Sequence, residues 1–156
     1  MDVWRADPAR DAAVVAALRY AWAATTGRAH GPCDDGFTEQ IRRWWVDDDR
    51  TVFVAGDRSD RGGVAGMITV HEYRRMPMPG AVPAAWGYVG HLFVLPAARR
   101  QGVGRALVER AQEEARSRDY RRLVLSPTDE SVDLYRRMGF RSADELMLWT
   151  PEVPTS

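Results

Sequence analysis

Arg99, Gly102 and Gly104 stand in the pattern Arg-x-x-Gly-x-Gly, at the end of an apolar stretch and the start of a helical one. Residues of these types at this spacing can hold an anion. A helix that opens there leaves its first N–H groups unpaired and points the positive end of its dipole outward. Glycines let the backbone approach closely enough for those N–H groups to reach phosphate oxygens. Arg99 adds a charged, two-pronged donor. Two other phosphate signatures do not fit. The dinucleotide fingerprint needs a third glycine, where Leu107 stands, and a Walker loop needs Lys and then Ser or Thr after the glycines. Taken alone, the turn is first of all an ordinary strand–helix link with surface arginines.

The elements that would position it follow from periodicity. Trp86 to Leu95 is an apolar strand, and Val103 to about Arg118 is a helix with Leu107, Val108 and Ala111 on one face. Upstream, Val3 to Arg5 is a short strand. Asp7 and Pro8 suit the N-cap and first position of a helix running to about Ala24, with Val14, Val15, Leu18 and Trp22 at helical spacing. Thr25 to Gly36 is a loop broken by glycines and Pro32, and Thr38 to Asp48 is a second helix. Thr51 to Gly56 and Val64 to Glu72 form an antiparallel hairpin, in which Gly66 marks a bulge or a close backbone approach. Tyr73 to Ala85 is a Pro/Gly-rich loop. Downstream, Arg121 to Ser126 is a strand parallel to the one before the glycine turn, since a helix links them. Ser131 to Met138 is a short helix with Gly139 just past its end. Phe140 to Ser142 and Glu145 to Trp149 are expected to be closing strands, followed by a tail.

Composition excludes several classes. The 156 residues, 45% apolar, suffice for one domain with a real core, and disorder is not expected. The 22 basic and 22 acidic residues balance, which argues against a general nucleic-acid binder. No long uncharged apolar run predicts a membrane span, and the charged N-terminus lacks a signal core, so the expected location is cytoplasmic. Cys33 is alone, so neither an intrachain disulfide nor a Cys-based zinc site is expected, and His30 with Cys33 supplies too few ligands for a metal. All 22 basic residues are arginines, so no lysine side chain is offered for acylation.

Two segments and the element order resemble the GNAT superfamily of acyl-CoA-dependent N-acetyltransferases. The segments are LFVLPAARRQGVGRALV (Leu92 to Val108) and ESVDLYRRMGF (Glu130 to Phe140), the second with Tyr135 five residues before Phe140. The resemblance implies an α/β fold, a mixed central β-sheet in the order β-α-α-β-β-β-α-β-α-β flanked by helices. It implies a single N-acetyltransferase domain over residues 1–156, with a tail from about 150. The co-substrate would be acetyl-CoA, with no metal, and a primary amine would attack the thioester directly. The backbone of Leu92, Phe93 and Val94 would pair with the pantetheine arm, and one N–H there would polarise the thioester carbonyl. Arg99, Arg100, Gln101, Gly102, Val103, Gly104 and Arg105 would cradle the pyrophosphate. Tyr135 would sit near the sulfur as general acid to the leaving thiolate, a role that suits a phenol protonated at pH 7; packing on the sheet is its plainer alternative. Thr128 or Ser131 falls where many relatives carry an Asn that contacts the cofactor, although Ser131 also reads as a helix N-cap. A homodimer is common among similar proteins.

The general base is the open question. Relatives often carry a Glu on one of the two strands flanking the cleft, and here those sites hold no carboxylate. His91 is the one group there that titrates near neutrality, and it reads equally as base or as structural histidine. Plain alternation puts His91 on one face with Val89 and Phe93, and a bulge would reverse that locally. Glu72, His71 and a water relay are the other candidates. Trp22 and Trp44 read as core, Trp86 as the better pocket wall. Asp47 to Asp49 read as a solvated helix end, and Asp34-Asp35 as a contact for an acceptor. The missing Asn and missing carboxylate leave room for a rival from another class, a coenzyme A-binding sensor or partner module without catalysis.

Overall fold

The computed structural model describes residues 1–48 and 50–151. Five strands form one mixed sheet in sequential order, β1 Asp2–Arg5, β2 Thr51–Gly56, β3 Val64–Arg74, β4 Ala85–Val94 and β5 Leu123–Val124. The first three pairings are antiparallel and β4 with β5 is parallel. Helices α1 Pro8–Thr25 and α2 Asp35–Asp47 cover one face, and α3 Val103–Ser117 and α4 Val132–Arg137 the other. The parallel pair is the one joined through α3, as a crossover connection requires.

All six residues of β2 are buried, because both faces of this central strand are covered. Val52 and Val54 pack with Val15, Leu18 and Trp45 under α1 and α2, while Phe53 and Ala55 pack with Leu107, Val108 and Ala111 under α3. Each fully buried side chain of this size contributes about 1.5–3 kcal/mol. Gly66 lets the sheet close, since a Cβ there would lie 2.7 Å from the Phe93 carbonyl oxygen, and the β2–β3 register shifts beside it.

Local signals in the sequence explain most helix starts. Asp7 accepts from Ala9 N at 2.8 Å and Arg10 N at 3.3 Å, capping α1. Helix α2 begins earlier than expected, because Asp34 is its N-cap and accepts from Phe37 N at 2.9 Å. Gly36 therefore sits in the first helical turn instead of ending a loop.

The C-terminal part differs from expectation. Neither Phe140 to Ser142 nor Glu145 to Trp149 forms a strand, and β5 is two residues long. Strand β5 is a one-sided anchor, paired to β4 at two positions only, so nothing regular extends the sheet past it. Leu146, Met147, Leu148 and Trp149 are left exposed. Of the expected tail, residues 152–156 lie outside the described residues, as does Asp49 of the acidic run.

Candidate active site

Strand β4 has an open edge on one side and contributes His91 to a cavity on the other. On one side it parts from β5. The two strands pair only at Gly87 with Leu123 and Tyr88 with Val124, so from Val89 to Val94 that edge of β4 has no strand partner. A short 3-10 turn at Pro96–Ala98 then leads into the glycine loop. Arg100 and Gly102 both take left-handed conformations, with φ of 65° and 82°. The loop thus turns sharply into α3, which has no side-chain N-cap and keeps its first N–H groups available for an anion.

The two glycines serve different ends. A Cβ on Gly102 would meet nothing within 4 Å, so its positive φ alone calls for glycine. At Gly104 a Cβ would come 3.3 Å from Leu134 Cδ2, so that glycine lets α4 sit close to α3. Arg99 Nε donates to Val94 O at 3.2 Å and Gln101 Nε2 to Ala97 O at 3.0 Å, which ties the loop to its own entrance. Arg105 pairs with Glu109 at 2.8 Å. Arg100 is exposed, and among the described residues its side chain has no partner. The side chains of Val103 and Phe93 are buried in the core, so only their backbone is free to meet a ligand.

Tyr135 lines a groove of about 700 Å³ along β5 and α4. The spacing to Phe140 has a local cause. Gly139 N donates to Arg136 O and Phe140 N to Tyr135 O, both at 3.0 Å, with Gly139 at φ 88°. This is the Schellman ending of a helix, in which the residue after the glycine packs back on the last turn. The Tyr135 and Phe140 rings accordingly meet edge-on at 5.4 Å. Burial, with a smaller contribution from Tyr88, pushes the Tyr135 phenol up to about 12. Its hydroxyl has no protein partner among the described residues, yet no fully buried polar side-chain atom lacks one, so the hydroxyl reaches solvent. Tyr88 donates to Ser126 Oγ at 3.3 Å across the β4–β5 gap. The pattern of residues gave no signal for this bridge, which depends on where the strands separate.

The other side of β4 is shaped by a bulge. Met67 pairs with Phe93 but Thr69 pairs with Gly90, so His91 and Leu92 together oppose Ile68. His91 takes φ 53°. Val89 consequently packs toward α3, and Phe93 toward α1 and α2. His91 follows Phe93, with its ring edge-on to Trp22 at 6.0 Å and to Trp44 at 5.6 Å. Plain alternation is thus broken where it would have kept Val89 and Phe93 together.

The His91 ring is hydrogen-bonded through Nδ1. Thr69 Oγ1 donates to Gly90 O at 3.0 Å and lies 2.9 Å from His91 Nδ1. A hydroxyl has one proton, so where Thr69 gives it to Gly90 O the contact runs from Nδ1–H to Oγ1. The lone pair is then on Nε2. Burial, followed by the charges of Arg19 and Arg50, holds the His91 pKa below its ordinary 6.5, which favours the neutral ring. His91 and Thr69 lie on the floor of a cavity of about 800 Å³, walled by Tyr20, Phe37, Ile41 and Trp44, with Arg19 and Arg28 on its rim.

The profile of the Acetyltransferase (GNAT) family matches residues 16–140. The chain belongs to the GNAT acetyltransferase family. Among solved structures, a Trypanosoma brucei acetyltransferase is similar with a TM-score of 0.72 and 17% identity, over 96% of this chain and 99% of that one. A predicted acetyltransferase from Clostridium acetobutylicum, solved with acetyl-CoA, gives a TM-score of 0.71 and 16% identity, over 96% and 95% of the two chains. Glucosamine-6-phosphate N-acetyltransferase from Arabidopsis thaliana gives 0.68 and 14%, over 97% and 98%. No curated protein sequence matches this chain.

Within this GNAT chain, the residues singled out from the sequence divide by location. Leu92 to Val94 and Arg99 to Arg105 lie together along the open edge of β4 and the start of α3. His91 belongs to the cavity under α1 and α2. Ser131 is at the N-cap position of α4 but makes no capping bond; its hydroxyl accepts from Thr128 N at 2.9 Å and donates to Thr128 O at 3.1 Å. Glu72 is tied to Tyr120 at 2.7 Å, to Arg74 at 2.5 Å and to Arg118 at 3.3 Å. It faces Gly87, four residues along β4 from His91, and Arg74 leads the contacts that hold its pKa down. Trp86 meets Tyr73 in a tilted ring contact at 4.9 Å and does not line the cavity, whereas Trp44 does. Among the described residues, no group of three or more His, Cys, Asp or Glu could hold a metal ion.

Proposed function

We propose that this chain transfers the acetyl group of acetyl-CoA directly to the nitrogen of a small primary amine, with His91 as general base. The observation that carries this reading is the Thr69–His91 pair. The pair suits a neutral imidazole with its Nε2 lone pair free, among the residues that line a cavity large enough for a small molecule. An amine must shed a proton to become and remain an acylated nitrogen, and a fixed neutral imidazole accepts it.

Acetyl-CoA supplies the activated acetyl thioester, and the residues along β4 suit it. N–H groups at the start of α3 and the Arg100 guanidinium suit a diphosphate, and the unpaired edge from Val89 to Val94 suits an extended amide arm. One N–H of Leu92 to Val94 would donate to the thioester oxygen as charge develops there. Tyr135 would face the sulfur. With its pKa near 12 it is a weaker acid than a thiol, whose reference value is about 8.5. Outright proton transfer to the leaving thiolate is therefore uphill, and Tyr135 acts first as a hydrogen-bond donor to the sulfur.

The test is calorimetry with acetyl-CoA, combined with thiol release over a set of amines. Binding with amine-dependent release is expected. Binding with no release from any amine would instead establish the non-catalytic sensor reading.

A homodimer is also proposed for this chain. The exposed apolar run Leu146 to Trp149 is the surface a second copy would cover. Light scattering should give twice the chain mass, and Trp149→Glu should reduce it; an unchanged monomer in both would overturn the dimer.

A further inference from the structure

The cavity under α1 and α2 carries an uneven charge. Its one carboxylate, Asp34, is occupied as the N-cap of α2. Its two guanidiniums are not so engaged. Arg19 lies over the Trp22 ring, with Cζ 4.8 Å from the centroid, and among the described residues neither Arg19 nor Arg28 has a carboxylate partner. Most other arginines that approach the core are ion-paired, as Arg5, Arg110 and Arg118 are with Glu114. An unpaired guanidinium stacked on an indole, at the mouth of a half-closed apolar cavity, has the geometry of an anion site.

Arg19, Arg28 and His91 all line the cavity, and Trp22 touches both Arg19 and, at 6.0 Å, His91. A molecule in the cavity can therefore meet a guanidinium at one end and the imidazole at the other. A carboxylate held about 2.8 Å from a guanidinium and an amine about 3 Å from Nε2 leave room for a short carbon link between them. Phe37, Ile41 and Trp44 offer apolar contact to whatever branches from that link.

We propose that the acceptor is an amino-acid-like amine, with its carboxylate on Arg19 and Arg28, its amino group at His91 and an apolar side chain against Phe37, Ile41 and Trp44. This rests on the transferase reading above and narrows its substrate. The amine nitrogen gives its lone pair to the thioester carbonyl carbon, so a C–N bond forms. The C–S bond breaks and its electron pair leaves on sulfur, while the amine proton passes to Nε2 of His91. The product is an N-acetyl acid that keeps its carboxylate. Polycationic acceptors would meet two unpaired guanidiniums and are disfavoured.

The experiment compares matched acceptors in a thiol-release assay: leucine with 3-methylbutylamine, phenylalanine with phenethylamine, and spermidine as the polycation. The amino acids should show kcat/KM at least tenfold above their decarboxylated partners. Arg19→Gln should raise KM for the amino acids about tenfold, so that their advantage over the decarboxylated amines, compared at one pH, is lost. Equal or better turnover of the decarboxylated amines, or preference for spermidine, overturns this proposal alone. No release with any acceptor, while calorimetry still shows acetyl-CoA binding, overturns the transferase reading and this proposal with it.

Discussion

The two sides of β4 prepare for their ligands by different physics. Toward β5 the recognition groups are backbone: an open strand edge from Val89 to Val94 and the first N–H groups of α3, set by left-handed residues at 100 and 102. Toward α1 and α2 they are side chains: rings of Trp22 and Trp44, the guanidinium of Arg19, and an imidazole oriented by Thr69. A backbone site depends on conformation, so it tolerates many side chains and fails when φ is denied. A side-chain site depends on which atoms stand there, so it tolerates backbone strain and fails on single-group deletions. The two meet at the His91 bulge, where one left-handed residue interrupts the regular β3–β4 ladder beside the cavity that His91 lines.

The largest break in that contrast should come from His91→Asn. Asn accepts the left-handed conformation that His91 adopts, so the bulge survives and only the base is lost. Turnover should fall about 10²–10⁴-fold, with acetyl-CoA affinity by calorimetry unchanged. Loss of affinity along with turnover would mean that His91 shapes the backbone side as well. Next in size is Gly102→Val. A β-branched residue at φ 82° costs about 1–3 kcal/mol of strain, which should appear as roughly a 10–100-fold weaker acetyl-CoA. The pH profile of the remaining turnover should not move, since Thr69 and His91 are untouched. Thr69→Val follows. It removes the acceptor of the Nδ1 proton and frees the ring to choose its tautomer. Turnover should drop about tenfold, while Thr69→Ser, which keeps the hydroxyl, should restore most of it.

How far each side was legible in the sequence follows from the same contrast. The anion turn, α3, and the Tyr135–Phe140 spacing are local, because glycine φ values and a Schellman ending are decided within six residues. Strands β2, β3 and β4 were read within two residues of their ends for the same reason. The acceptor side brings together Arg19, Trp44, Thr69 and His91 from four separate elements. No spacing rule links them. The sign of His91's face turned on one extra residue opposite Ile68, which alternation alone cannot place. Trp44 was read as core because helical periodicity reports a covered face without saying whether protein or a cavity covers it. The closing strands failed differently: Glu145 to Trp149 has the pattern of a strand but finds no neighbour, since β5 offers only two paired residues, both to β4.

The smallest effect is also the finest test of whether the cavity acts as one electrostatic unit. Burial lowers the His91 pKa most, and Arg19 and Arg50 lower it further. Protonating the ring beside two cations is unfavourable, so removing either cation makes protonation easier and raises the pKa toward 6.5. In Arg50→Gln the NMR titration midpoint of His91 should therefore rise, and the acid limb of kcat should move up with it. Arg50 stacks on Trp44, with Cζ 4.7 Å from the ring, and its proposed part is to charge the cavity, without a contact to the acceptor's carboxylate. Its loss should thus shift the pH limb while leaving the preference for amino acids over their decarboxylated partners in place. Arg19→Gln should do both, because that guanidinium both charges the cavity and holds the acceptor. If the two variants instead behave alike, the carboxylate is drawn by the general positive field of the cavity, and Arg19 has no separate role as its anchor.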